Sequence, residues 1–209
     1  MKCWMFLNKY LDLSLVKEPL FLMMVSSVMA MAVGVPHVLF FIPSYTRNIG
    51  ATVDPAVLLC ATSVADLIGR LAFGVLLDAN FASKHLIYAL MILATGLSVI
   101  GLTLTRDAIG LSIAMLIYGL GSGGWFLMVP LLLADYLTVE RIGSSYGLVR
   151  LFQAMSNLIG PVLGGVLSDY TGSFAASFIA MGSIMCLGAV PALFKPMLSR
   201  RMDSKSGCA

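Results

Sequence analysis

The sequence predicts an all-α membrane protein of six transmembrane helices arranged as a 3+3 inverted repeat. Three observations carry that expectation. The 209 residues are 59% hydrophobic and only 11% charged, with mean hydropathy +0.97, whereas a soluble domain carries roughly 25% charged residues. A chain so poor in charge cannot cover a water-facing surface, which excludes a soluble enzyme and a nucleic-acid binder. Apolar stretches of span length recur along the chain, each long enough to cross the hydrocarbon with about 20 residues. Two of these stretches share a sequence pattern.

The spans are expected at about 20–42, 55–77, 85–105, 109–134, 144–168 and 173–194. Residues 1–19 read as a cytoplasmic lead-in and 195–209 as a cytoplasmic tail. Arg47-Asn48-Ile49-Gly50 marks the first break, and Asp54-Pro55 starts the second helix as N-cap and first helical residue. Asp78-Ala79-Asn80 with Lys84-His85, then Arg106-Asp107, Glu140-Arg141 and Asp169-Tyr170-Thr171-Gly172 separate the remaining spans.

Lys and Arg counts give an orientation. One side receives Lys2, Lys9, Lys17, Lys84, Arg141, Lys195, Arg200, Arg201 and Lys205, and the other only Arg47 and Arg106. Under the positive-inside rule both termini are then cytoplasmic. The first 19 residues hold five charges and no cleavage site of the right form, so a signal peptide is a poor fit. Cys3, Cys60, Cys186 and Cys208 show no metal-ligand spacing, and His37 and His85 are the only histidines. No metal centre, no other cofactor and no disulfide framework is expected.

Residues 65–78, ADLIGRLAFGVLLD, align with 156–169, SNLIGPVLGGVLSD, at an offset of 91. Leu67, Ile68, Gly69, Gly74, Val75, Leu76 and Asp78 find identities. Spans one and four echo more weakly at an offset of 87, through Gly34 with Gly121 and Pro43 with Pro130. Two units of three spans follow. Because three is odd, the second unit is inverted relative to the first, an arrangement typical of secondary transporters.

Asp66 and Arg70 stand in the middle of span two. Each charge at a helix centre costs roughly 2.5–3.5 kcal/mol on insertion scales, so such residues face a bundle interior or a wet cavity. Their i,i+4 spacing places them on one face, where they can pair. The functional reading has Arg70 bind a small organic anion and Asp66 carry a proton; the plain one is an ion pair that only joins helices. Arg150, about two turns into span five, reads best as a side chain reaching to the cytoplasmic face, with cavity lining as the alternative. His37 and Trp125 are weaker candidates for the substrate path, since such residues are commonly just packed. Asp135 with Glu140 and Arg141 suggests a cytoplasmic charge network. Gly119, Gly121, Gly123, Gly160 and Gly164 give small-xxx-small spacing that lets helices approach closely. Pro36, Pro130 and Pro161 can kink their helices.

From about residue 12 to 194 the chain resembles the C-terminal half of a monocarboxylate transporter of the major facilitator superfamily, half of that twelve-span fold. The lead-in Asp12-Leu13-Ser14-Leu15-Val16-Lys17-Glu18-Pro19, the Asp66-xxx-Arg70 pair, the loop Glu140-Arg141-Ile142-Gly143-Ser144-Ser145-Tyr146-Gly147 and the exit Gly164-Gly165-Val166-Leu167-Ser168-Asp169-Tyr170-Thr171-Gly172 carry the resemblance. It implies a plasma-membrane carrier working by alternating access, with Asp66 in proton coupling and Arg70 on the substrate carboxylate. Gly74-xxx-Asp78 and Lys84 keep part of the superfamily's loop motif, but its central basic residue and glycine are missing. The family's first-span signature and its cooperating lysine have no counterpart here. The resemblance therefore implies a missing N-terminal six-helix half or a second copy as partner, alongside the lipid bilayer. The competing expectation is a non-transporting membrane fragment or assembly partner that keeps only the fold.

Overall fold

A computed structural model of the chain describes residues 13–78, 83–136 and 139–193. The lead-in before residue 13, the tail after 193 and much of the loop near residue 80 lie outside the described residues. A 3-10 turn, Leu13–Lys17, precedes six helices: α1 Pro19–Asn48, α2 Pro55–Asp78, α3 Lys84–Leu104, α4 Ala108–Tyr136, α5 Val139–Thr171 and α6 Phe174–Leu187. Each is long and apolar enough to cross a membrane, the sixth as the stretch Phe174–Leu193.

Local chemistry explains the helix ends. Pro19 opens α1, where its fixed φ suits the first turn and its missing N–H has no intrahelical partner to lose. The Asp54 side chain accepts from the Ala56 N–H at 2.9 Å and caps α2. Ser173 caps α6 by accepting from the Ala175 N–H at 3.2 Å. Gly172, at φ 66°, closes α5 by donating to the Ser168 carbonyl at 2.8 Å, a left-handed position that glycine adopts without strain.

Two helices run longer than their hydropathy predicts. α1 continues past residue 42, through Pro43, to Asn48. Pro43 removes the donor that would meet the Leu39 carbonyl, yet the helix continues; beyond it the Thr46 hydroxyl bonds back to the carbonyls of Ile42 and Pro43 at 3.0 and 3.2 Å. α5 begins at Val139 and ends at Thr171 because the polar residues flanking its apolar middle stay helical.

The packing follows the repeat. α2 packs chiefly on α4, and its equivalent α5 packs chiefly on α1. α3 and α6, also equivalent, cross each other. A Cβ on Gly69 of α2 would stand 2.5 Å from the Leu120 carbonyl oxygen of α4; one on Gly160 of α5 would stand 2.6 Å from the Val33 carbonyl oxygen of α1. Gly69 and Gly160 differ by 91 positions, and Val33 and Leu120 by 87, the two offsets of the sequence repeat.

Burial repeats in the same way. The most apolar stretches of α1 and α4 are 67% and 61% buried, but those of α2 and α5 only 22% each. The exposed stripe Val64, Leu67, Ile68, Leu71 and Val75 on α2 matches Met155, Leu158, Ile159, Val162 and Val166 on α5, position for position. α1 and α4 thus form the interior, while α2 and α5 each present one open apolar face.

Candidate functional site

The site begins with how α4 holds α2. Gly119 and Gly123 lie against the α2 backbone: a Cβ on Gly119 would stand 2.5 Å from the Thr62 carbonyl oxygen, and one on Gly123 would overlap the Asp66 carbonyl. The small-xxx-small spacing of span four therefore brings the two backbones together at Asp66. Without a hydrophobic effect between helices, such close packing is what joins them.

At that crossing Arg70 and Asp66 pair as their spacing predicts. Arg70 Nε donates to Asp66 Oδ2 at 2.8 Å, and Nη2 lies 2.8 Å from the same oxygen. The second carboxylate oxygen, Oδ1, accepts from the Ser122 hydroxyl of α4 at 3.3 Å. The pair is not sealed: the Arg70 side chain is 48% exposed and that of Asp66 25%. Both line a cleft of about 190 Å³ between α1, α2 and α4, with Thr62, Tyr118, Ser122 and Phe126. The Tyr118 hydroxyl donates to the Val35 carbonyl, which ties the α4 wall of the cleft to α1.

Phe126 extends the site toward α5. The Arg70 guanidinium lies 5.2 Å from its ring centroid, and the Arg150 guanidinium 5.9 Å from the same centroid. Arg150 is held in place locally. It donates to Gln153 Oε1 at 2.6 Å, donates to the Tyr146 hydroxyl, and lies 4.8 Å from the Tyr146 ring centroid. The side chain turns toward the rings of Tyr146 and Phe126. Among the described residues no carboxylate forms a salt bridge with it.

The weaker candidates lie elsewhere. His37 is buried at the α1–α5 crossing, its Nδ1 3.0 Å from the Val33 carbonyl and its ring against Gly160. The Asp66 cleft is lined by Val35 and Leu39 of α1, not by His37. Trp125 is 1% exposed and touches the site only through Phe126, edge to face at 4.7 Å. Phe126, the residue after Trp125 in α4, is the one that reaches both arginines. A helical wheel of α4 puts Phe126 four residues after Ser122, on one face, and that is the available signal.

Asp135 pairs with Lys84: Lys84 Nζ donates to its two oxygens at 2.9 and 2.7 Å, linking the end of α4 to the start of α3. The expected partner side chain of Glu140 lies outside the described residues. Asp66 and Arg70 occur in one repeat only, since their equivalents at the 91 offset are Asn157 and Pro161. The charge constellation thus breaks the symmetry that the packing obeys.

Six spans packed as an inverted repeat, with a charged pair in an open intramembrane cleft, define the class of secondary-transporter-like membrane proteins. A family model of the Major Facilitator Superfamily matches residues 20–206, and the chain belongs to that superfamily, a family of transporters rather than enzymes. It is 27% identical to monocarboxylate transporter 2 of Homo sapiens over 205 residues, covering 97% of this chain and 43% of that protein. It is 26% identical to monocarboxylate transporter 12-B of Danio rerio (78% and 35% covered) and 28% identical to monocarboxylate transporter 13 of Rattus norvegicus (72% and 36%). Among solved structures it is similar in fold to the E. coli fucose:proton symporter, with TM-score 0.64 at 16% identity, over 84% of this chain and 42% of that one. The chain spans less than half the length of each of these relatives.

Proposed function

We propose that the chain is one six-helix half of a proton-coupled carrier of small organic monocarboxylates such as lactate or pyruvate, working by alternating access. The observation that carries the reading is the Asp66–Arg70 pair, half-exposed in the middle of α2 and open to a cleft. The named relatives point to the substrate class.

The geometry suggests why proton and anion move together. With Asp66 ionised, its Oδ2 engages Arg70 Nε and Nη2, and the pair is neutral. Protonation of Asp66 releases those two donors and leaves one net positive charge. A substrate carboxylate then takes the fork that Asp66 vacates, since guanidinium binds carboxylate through two parallel N–H bonds. The loaded site is neutral again. A neutral site crosses a low-dielectric barrier far more readily than a charged one, so the empty ionised pair and the doubly loaded pair are the two states that reorient.

The partner follows from the open faces. The matched apolar stripes of α2 and α5 suit lipid or a second six-helix bundle. Because α2 both lines the cleft and carries one of these stripes, a companion N-terminal half would supply the opposite wall; a second copy of the chain is the other candidate. The nine-to-two bias of basic residues favours cytoplasmic termini, and the family resemblance drawn from the sequence favours the plasma membrane.

The test is reconstitution with the N-terminal six-helix half of a monocarboxylate transporter, in liposomes that hold a pH dye. Lactate added outside should acidify the lumen only when both halves are present. No acidification, with both halves shown to be folded and associated, overturns the reading.

A further inference from the structure

We infer that Arg150, which shares Phe126 of the cleft wall with Arg70, is a second anion-binding residue beside the Asp66 cleft, and that the site so extended takes short dicarboxylates more tightly than monocarboxylates. This rests on the reading of Arg70 as the anion-binding residue and extends the ligands of that site from monocarboxylates to short dicarboxylates.

Three observations support the inference. Arg150 carries a fixed positive charge within a span, and no described carboxylate pairs with it. Its surroundings stabilise the cation without neutralising it: Tyr146 and Phe126 offer ring faces, and Gln153 and the Tyr146 hydroxyl accept hydrogen bonds. Those bonds use one N–H from each terminal nitrogen, so Nε and the second hydrogens stay available to a ligand. A side chain that merely reached for water would need no such cradle.

The second support is position. Arg70 and Arg150 share one phenyl ring, at 5.2 and 5.9 Å from its centroid. Their heads can be no further apart than the sum of those distances, within reach of one short ligand with a carboxylate at each end. The third is charge. Asp66 balances Arg70 alone, so the constellation of Asp66, Arg70 and Arg150 has one positive charge in excess. A monocarboxylate loaded together with a proton on Asp66 leaves that excess in place, whereas a dicarboxylate loaded with the same proton removes it. The second carboxylate of the dianion adds a charge-assisted hydrogen-bonded pair with Arg150, so the dianion is the better match.

Succinate and butyrate share a four-carbon chain and differ in the second carboxylate, which makes them the discriminating probes. Binding to the chain assembled with its companion half in nanodiscs is followed through the fluorescence of Trp125, whose ring packs on Phe126, with Trp4 and the companion's tryptophans replaced by phenylalanine. Succinate should bind at least tenfold more tightly than butyrate. Arg150→Gln should bring the two to parity by weakening succinate alone, and Arg150→Lys, which keeps the charge but loses the fork, should fall between. Arg70→Ala should abolish binding of both. Equal affinity of the native chain for the two acids overturns the inference and leaves the monocarboxylate reading intact, as does a ratio unchanged in both Arg150 variants. Binding of neither acid overturns both readings. Should Arg150→Gln fail to fold, the native ratio and Arg150→Lys still decide.

Discussion

A methyl group added at Gly123 tests how α4 positions the site. Gly123→Ala places a Cβ where it overlaps the Asp66 carbonyl, a backbone atom that cannot rotate aside. The helices must separate, or α2 must shift locally. Overpacking of this kind costs typically about 1–3 kcal/mol. Alanine also gains about 1 kcal/mol over glycine in intrinsic helix propensity, so the variant needs a matched control. Gly101 supplies it, since a Cβ there meets nothing within 4 Å inside α3. Gly101→Ala collects the propensity gain with no clash. The two variants should differ by the whole packing term, about 1–3 kcal/mol, or several degrees in melting temperature for a chain of this size. Thermal unfolding in one detergent, read by helical circular dichroism, measures the difference. If Gly123→Ala melts at or above Gly101→Ala, the close approach of α4 to α2 at Asp66 is wrong.

Other expectations follow from single contacts. Gly69→Ala and Gly160→Ala sit at equivalent crossings and should lower the melting temperature by similar amounts; a neutral effect at one and a large loss at the other would break the proposed repeat symmetry. Tyr118→Phe removes the donor to the buried Val35 carbonyl and should cost about 1 kcal/mol of stability, visible in the same melt. Lys84→Met breaks the ion pair with Asp135, but both side chains are more than a third exposed, so solvent screening should hold its effect on unfolding below about 1 kcal/mol.

The architecture was largely legible because its causes are local or periodic. Length and hydropathy mark a span, and the 91-residue offset marks equivalent positions that later prove to make equivalent contacts. The Asp66–Arg70 pair was legible for the same reason: i,i+4 spacing is a property of one helix. The surroundings of Arg150 were not. Its own helix gives it Tyr146 and Gln153, but Phe126 lies on another helix, and nothing in the span-five sequence announces which α4 residue will face it. His37 looked available for a similar reason, since only the α1–α5 crossing at Gly160 shows that its ring is enclosed. The end of α1 was hidden because the apolar run stops at Ile42, whereas the helical backbone carries on through Pro43, Ser44 and Tyr45 to Asn48.

The claim that matters most is that Asp66 and Arg70 form the coupled proton and anion site. Lactate-driven acidification should be measured for the chain paired with its companion half, beside the variants Asp66→Asn and Arg70→Ala at matched folding and incorporation. The account predicts that each substitution abolishes it. Acidification retained in both variants would contradict the account and leave the pair as a tie between helices.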